Sequence, residues 1–172
     1  MQPTSIANAT HISAASWIND SFHASLPQDI LISNGAKDAE KILSGQWWRL
    51  LTSMWLHGGF IHLGMNLLAI YKLGGSLEME FGTVPVAVIY LTSGVFGTIV
   101  SAIFLPWQVG VGASGAIFGL FGSCWADMIA NWATLEGSKL RAVLGILIPT
   151  ILNLGFGTTL PSPTRPPVHP KV

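Results

Sequence analysis

An all-α, polytopic transmembrane helical bundle is the fold class this sequence predicts, and three observations carry the prediction. Half of the 172 residues are apolar and only 9% are charged, against the roughly 25% charged residues of soluble domains, so the bilayer is the expected solvent. No charged residue occurs between Glu80 and Asp127, nor from Ala142 to Thr164. The turn-forming run Pro106-Trp107-Gln108-Val109-Gly110 then divides the first of these intervals in two. Each part is close to the ~20 apolar residues that cross a hydrocarbon core about 30 Å thick.

The elements follow in order. Residues 1–44 form a polar N-terminal segment, expected to be partly disordered, with neither a basic start nor a continuous apolar run of signal-peptide type. Asn8-Ala9-Thr10 and Asn19-Asp20-Ser21 match the glycosylation acceptor pattern, which matters only if this end faces a lumen. Residues 45–160 form the membrane domain. It opens on Gln46-Trp47-Trp48-Arg49-Leu50-Leu51 and Trp55, whose indoles and guanidinium suit the headgroup layer. A first span is expected from about Met54 to Leu73, carrying His57, His62 and Asn66. Two spans follow between Glu80 and Asp127, and a fourth from Ala142 to Leu160, with Pro149 positioned to kink it. The tail 161–172 has five prolines between Pro161 and Pro170 and cannot be helical.

Charge excludes one class of function. The net charge is zero and the eight Lys and Arg are scattered, so the basic stripe that nucleic-acid binding needs is absent. Lys72, Lys139 and Arg141 fall at span ends that alternation places on one side, which the positive-inside tendency makes cytoplasmic. Lys37, Lys41 and Arg49 sit on the other side, beside Asp38 and Glu40. The lone cysteine, Cys124, lies in an apolar run and reads as a small buried hydrophobe. A channel or carrier would need a continuous polar path, which two histidines and an asparagine at one depth do not supply.

Polar groups at membrane depth are costly and mark function unless a neighbouring helix satisfies them. His62 and Asn66 are four residues apart, so one helix face carries both and their side chains can converge on one point. As a pair they equally suit interhelical hydrogen bonding. His57, five residues earlier, falls about 140° round the same helix and is expected to point elsewhere. Gly112-Ala113-Ser114-Gly115 opens the third span. A serine there has free backbone N–H groups around it and the positive end of the helix dipole beneath it, an arrangement suited to a developing oxyanion as well as to a simple cap. Gly115, Gly119 and Gly122 line one side of that helix and permit close approach of a neighbour.

Taken together, Trp48-Arg49, the run His57-Gly58-Gly59-Phe60-Ile61-His62-Leu63-Gly64-Met65-Asn66, and Gly112-Ala113-Ser114-Gly115 resemble, in this order, the rhomboid intramembrane serine proteases. The resemblance extends from about Gly45 to Pro161, and Trp48-Arg49-Leu50-Leu51-Thr52-Ser53 is most similar to plant or other eukaryotic members. It implies a Ser-His dyad below the membrane surface that cuts single-span transmembrane proteins near their helix ends, without metal or organic cofactor. Ser114 would be the nucleophile. The oxyanion hole would combine the Ser114 backbone N–H with His62 and Asn66, and Trp48 and Arg49 would belong to an interfacial loop that shapes the site. Phe118 matches a position where many members place an aromatic ring against the catalytic histidine, Glu78 a structural acid, and His57, Gly112, Gly115 and Gly119 structural positions.

The sequence departs from the family in two ways. A hydroxyl needs a base to take its proton, and no Ala-His-x-Gly-Gly segment, which carries that histidine in the family, follows Ser114. His169 lies between Pro167 and Pro170, without an apolar helix to bring it into the bilayer, and its distance from Ser114 is read as coincidence. Nor does any apolar run of about 20 residues precede Trp48. A shortened rhomboid, with about four of the usual six spans, is therefore expected. It would be a serine endopeptidase by family but disabled as written, with a non-catalytic protein that binds transmembrane helices as the alternative. Neither the organelle nor the oligomeric state is legible.

Overall fold

A computed structural model describes residues 27–135 and 137–159, the last seven of these by backbone alone. The acceptor triplets at Asn8 and Asn19, the proline-rich tail and His169 lie outside the described residues. Among those described, all regular structure is helical, and the sole β-type pairing is a bridge between Lys37 and Gly110.

Two short helices come first, α1 (Gln28–Ser33) and α2 (Ala39–Leu43). Asp38 starts α2 by accepting a hydrogen bond from the Lys41 backbone N–H at 3.3 Å. Next comes α3 (Arg49–Thr52), continued by a 3₁₀ turn, Ser53–Trp55. The span expected from about Met54 begins later than the sequence suggests. Leu56, Gly58 and Gly59 interrupt the chain in extended or bent conformation, and α4 (Phe60–Ala69) starts only at Phe60. From there the backbone stays helical through a wide π turn (Ile70–Gly74) into α5 (Gly75–Phe81).

Gly82 separates α5 from α6 (Thr83–Phe104), the one described helix long and apolar enough to cross a membrane by length and composition. Val84, Val88, Phe96, Ile103 and Phe104 all face outward on it, the reverse of a soluble core helix. The chain leaves α6 at Leu105, directly before Pro106, and re-enters helix at Ser114 to form α7 (Ser114–Ala130). The last described element is α8 (Lys139–Thr159), which contains Pro149. Proline has no N–H, so the carbonyl one turn earlier loses its helical donor.

Packing centres on α6 and α7, the most extensively packed pair of elements. The reason is glycine on both sides: a Cβ added at Gly97 would stand 3.2 Å from the Gly115 Cα, which is backbone and cannot yield. Gly97→Val is accordingly expected to force the two helices apart and to lower stability by about 2 kcal/mol; thermal unfolding in detergent measures it. Leu77 of α5, Val86 of α6 and Leu120 of α7 form one buried cluster, and Ala113, Ile117 and Phe121 form another against Ala69, Ile70 and Ile146. A third, Leu31, Ala36 and Val109, ties the N-terminal helices to the loop that precedes α7.

Candidate functional site

His62 and Asn66 lie one turn apart on α4, His62 half-buried and Asn66 only 2% exposed. Both point at the turn that starts α7. A Cβ placed on Gly112 would stand 2.7 Å from His62 Cε1, 2.9 Å from His62 Nε2 and 3.5 Å from Asn66 Nδ2. The two side chains thus close on a backbone point two residues before Ser114. Gly112 is needed there twice over. Its φ of 114° is in the left-handed region that side chains rarely adopt, and its missing Cβ is the space that His62 fills.

Ser114 is the first residue of α7, after Ala113, whose methyl group offers no cap. The first intrahelical bond at this end is donated by the Ile117 N–H to the Ala113 carbonyl at 3.0 Å. The N–H groups of Ser114, Gly115 and Ala116 therefore precede the ladder and face the end of the helix. The turn is fixed from behind by the Gly112 N–H, which donates to the Ser53 carbonyl at 2.9 Å. The Ser114 hydroxyl is half-buried and has no hydrogen-bond partner among the described residues.

Two polar atoms beside this turn are buried without a partner among the described residues: Asn66 Nδ2 and His57 Nε2. A buried amide nitrogen left unpaired costs about 1–3 kcal/mol, which an acceptor oxygen entering the site would relieve. His57 differs from its sequence expectation. Because α4 starts at Phe60, the helical angle that turned His57 away does not apply to it, and its ring packs edge-on against His62 with centroids 5.3 Å apart.

The remaining predicted residues divide into two groups. Trp48 is exposed at the surface, while the adjacent Arg49 is buried and acts inward. Its Nη1 donates to the Ile32 carbonyl at 2.8 Å and the Ala36 carbonyl at 2.9 Å, and its Nε donates to Gln46 Oε1 at 2.8 Å. Phe118 lies one turn below Ser114, its ring 6.3 Å from that of Phe121. Gly115 faces Gly97, and Gly119 leaves room for the Ser93 side chain. Glu78 is exposed on α5. One buried polar residue that sequence reasoning did not select is Lys37, 1% exposed, which reaches the same loop from the N-terminal side. Nothing in its local sequence distinguishes it from a surface lysine.

Comparison with known proteins places the chain. It is 45% identical over 124 residues to "RHOMBOID-like protein 6, mitochondrial" of Arabidopsis thaliana, which covers 72% of this chain and 40% of that protein. It is 39% identical over 130 residues to "Rhomboid protease GluP" of Bacillus subtilis (strain 168), covering 75% of this chain and 25% of the relative. It is also 37% identical over 109 residues to "Inactive RHOMBOID-like protein 8" of Arabidopsis thaliana, covering 63% and 30%. The chain thus spans well under half the length of these relatives. The family model described as the rhomboid domain matches residues 44–164, a stretch that takes in Trp48, His62, Asn66 and Ser114 alike, and the chain belongs to the rhomboid family.

Proposed function

We propose that this chain is an integral multi-pass membrane protein that carries the nucleophile and oxyanion half of a rhomboid-type serine endopeptidase site. The four spans of this reading are α4 with α5, then α6, α7 and α8. Ser114 is its nucleophile, and its oxyanion hole consists of the Ser114 N–H with His62 and Asn66. The convergence of His62 and Asn66 on the Gly112 turn carries this reading. Asn66 Nδ2 is buried without a partner among the described residues, a cost that a polar guest would offset, and such donors suit an oxyanion better than a resting carbonyl.

Within the described residues the reading stops at binding. Hydrolysis needs a base against the serine hydroxyl, and neither His57 nor His62 makes a hydrogen bond to it. For scale, loss of the histidine from a soluble serine protease lowers turnover by roughly a million-fold. The described residues therefore form a cleft that holds a transmembrane segment of a single-span client and, among them, no base that would cut it. One relative is itself named as an inactive rhomboid-like protein, which supports a non-catalytic reading.

The test uses the full chain in proteoliposomes with a single-span substrate that carries a photo-crosslinker near its helix end. Neither cleavage nor fluorophosphonate labelling is expected above a Ser114→Ala control, while crosslinking persists and falls about tenfold in Asn66→Leu. Ser114-dependent cleavage would overturn the non-catalytic half of the proposal. Crosslinking that ignores Asn66→Leu would overturn the site itself.

A further inference from the structure

Lys37 is a buried cation in a chain that has few, and its ammonium is used in full. Nζ donates to the Leu105 carbonyl at 2.7 Å, the Gln108 carbonyl at 2.8 Å, the Ser101 carbonyl at 3.1 Å and the Ser101 hydroxyl at 3.2 Å. Ser101 lies in the last turn of α6 and Leu105 ends it, where a cation meets the negative end of the dipole; the Ser101 carbonyl also accepts from the Leu105 N–H at 2.9 Å, so Lys37 is its second donor. The backbone of the same residue pairs in both directions with Gly110, its N–H donating to the Gly110 carbonyl at 2.9 Å and its carbonyl accepting from the Gly110 N–H at 3.1 Å. The aliphatic stem crosses Gly110 so closely that a Cβ there would stand 2.9 Å from Lys37 Cδ. One residue thus grips the segment between α6 and α7 at its α6 end, at Gln108 and at Gly110, while the Ser53 carbonyl holds Gly112 near its α7 end.

The other side of that grip is itself fixed. Arg49 holds the carbonyls of Ile32 and Ala36, and the Thr52 hydroxyl donates to the Gly35 carbonyl at 2.8 Å. The next residue, Ser53, accepts from Gly112. A closed circuit results, from α3 through 35–36 to Lys37, across to 105–110, on to Gly112, and back to α3. Beside the apolar contact of Leu31 and Ala36 with Val109, Lys37 is the residue among those described whose side chain hydrogen-bonds across the two halves of the circuit. Burial draws the ammonium down to about 8, with Asp38 acting against that shift, so at neutral pH it keeps its charge and all three donors.

We propose that Lys37 is the positioning residue that holds the 105–112 loop, and with it Ser114, in register with His62 and Asn66. The proposal rests on the reading of those three residues as one site, and it assigns Lys37 no contact with the guest. Removing the donors while keeping the stem should release the loop alone.

Lys37→Met in the full chain tests it by two readouts. Backbone amides of 105–113 are expected to exchange at least about tenfold faster, with the centres of α6 and α7 unchanged. In a Ser114→Cys background, alkylation of the new thiol by iodoacetamide is expected to quicken by about the same factor, while Cys124, half-buried lower on α7, serves as an internal control and does not change. Unchanged exchange in 105–113, or equal acceleration at both thiols, overturns the proposal, because the first denies the grip and the second is general loosening. Should Lys37→Met fail to accumulate, Gly110→Ala, which pushes against Lys37 Cδ, must give the same local signature, and its absence overturns the proposal equally. The site reading fails separately, through Asn66→Leu and crosslinking, without altering the exchange results.

Discussion

Arg49→Leu is expected to lose about 3 kcal/mol of stability, the largest loss from any one substitution near the site. Arg49 is buried at 6% exposure and donates to two main-chain carbonyls and one side-chain amide. Hydrogen bonds to a charged group contribute about 1.5–3 kcal/mol each, and their loss takes the guanidinium donor from the Ala36 carbonyl and leaves the Ile32 carbonyl with the Gly35 N–H at 3.2 Å. Leucine fills part of the volume and satisfies neither. Arg49→Lys should recover less than half of the loss, because one ammonium cannot reproduce the fork that spans both carbonyls and Gln46. Thermal unfolding in detergent, with helix content followed by circular dichroism, measures both variants. A shift for Arg49→Leu no larger than that of an exposed substitution such as Trp47→Leu would remove Arg49 from the framework of the site.

The second large effect is expected at Gly112. Alanine there must adopt a φ of 114° and place a methyl carbon where the His62 ring now lies. Backbone strain of this kind costs on the order of 1–3 kcal/mol, and the ring must also swing away from the turn. Gly112→Ala is therefore expected to retain its helices by circular dichroism while crosslinking of a transmembrane client falls at least about tenfold. A matched change at Gly45, which also has positive φ but nothing within 4 Å of its Cβ position, would share the strain without touching the ring. Equal losses of crosslinking in the two variants would mean that the contact with His62 is irrelevant to binding.

Much of the candidate site's geometry was legible because its signals are local. Spacing of four placed His62 and Asn66 on one face, and the Pro106–Gly110 break placed Ser114 at the start of a helix. Both rest on helical periodicity and chain reversal, which a short window of sequence contains. The approach of these two places to each other is a tertiary fact, and there the resemblance to a family supplied what spacing alone left open. His57 was misplaced for a definable reason: hydropathy extended the helix upstream through His57-Gly58-Gly59, whereas two adjacent glycines are poor helix residues and the helix starts after them. Lys37 was counted with Lys41 and Arg49 among the charges on one side of the bilayer. Its burial depends on carbonyls more than 60 positions away, at Ser101, Leu105 and Gln108, and no local pattern announces such partners. Arg49 was placed in an interfacial loop, but the exposed indoles on either side of it in the sequence give no hint that its guanidinium turns inward.

The wide turn at Ile70–Gly74 also left no trace in the apolar pattern, yet it governs how the long helix can change. One residue is in effect inserted there, so side chains after Gly74 are rotated by about 100° from where an uninterrupted α-helix would carry them. The segment bearing the imidazole and the amide therefore keeps one phase, and the segment bearing Leu77 keeps another. Each half can drift in sequence to suit its own neighbours, whereas loss of a single residue within the turn would merge the two phases and leave one half facing the wrong way.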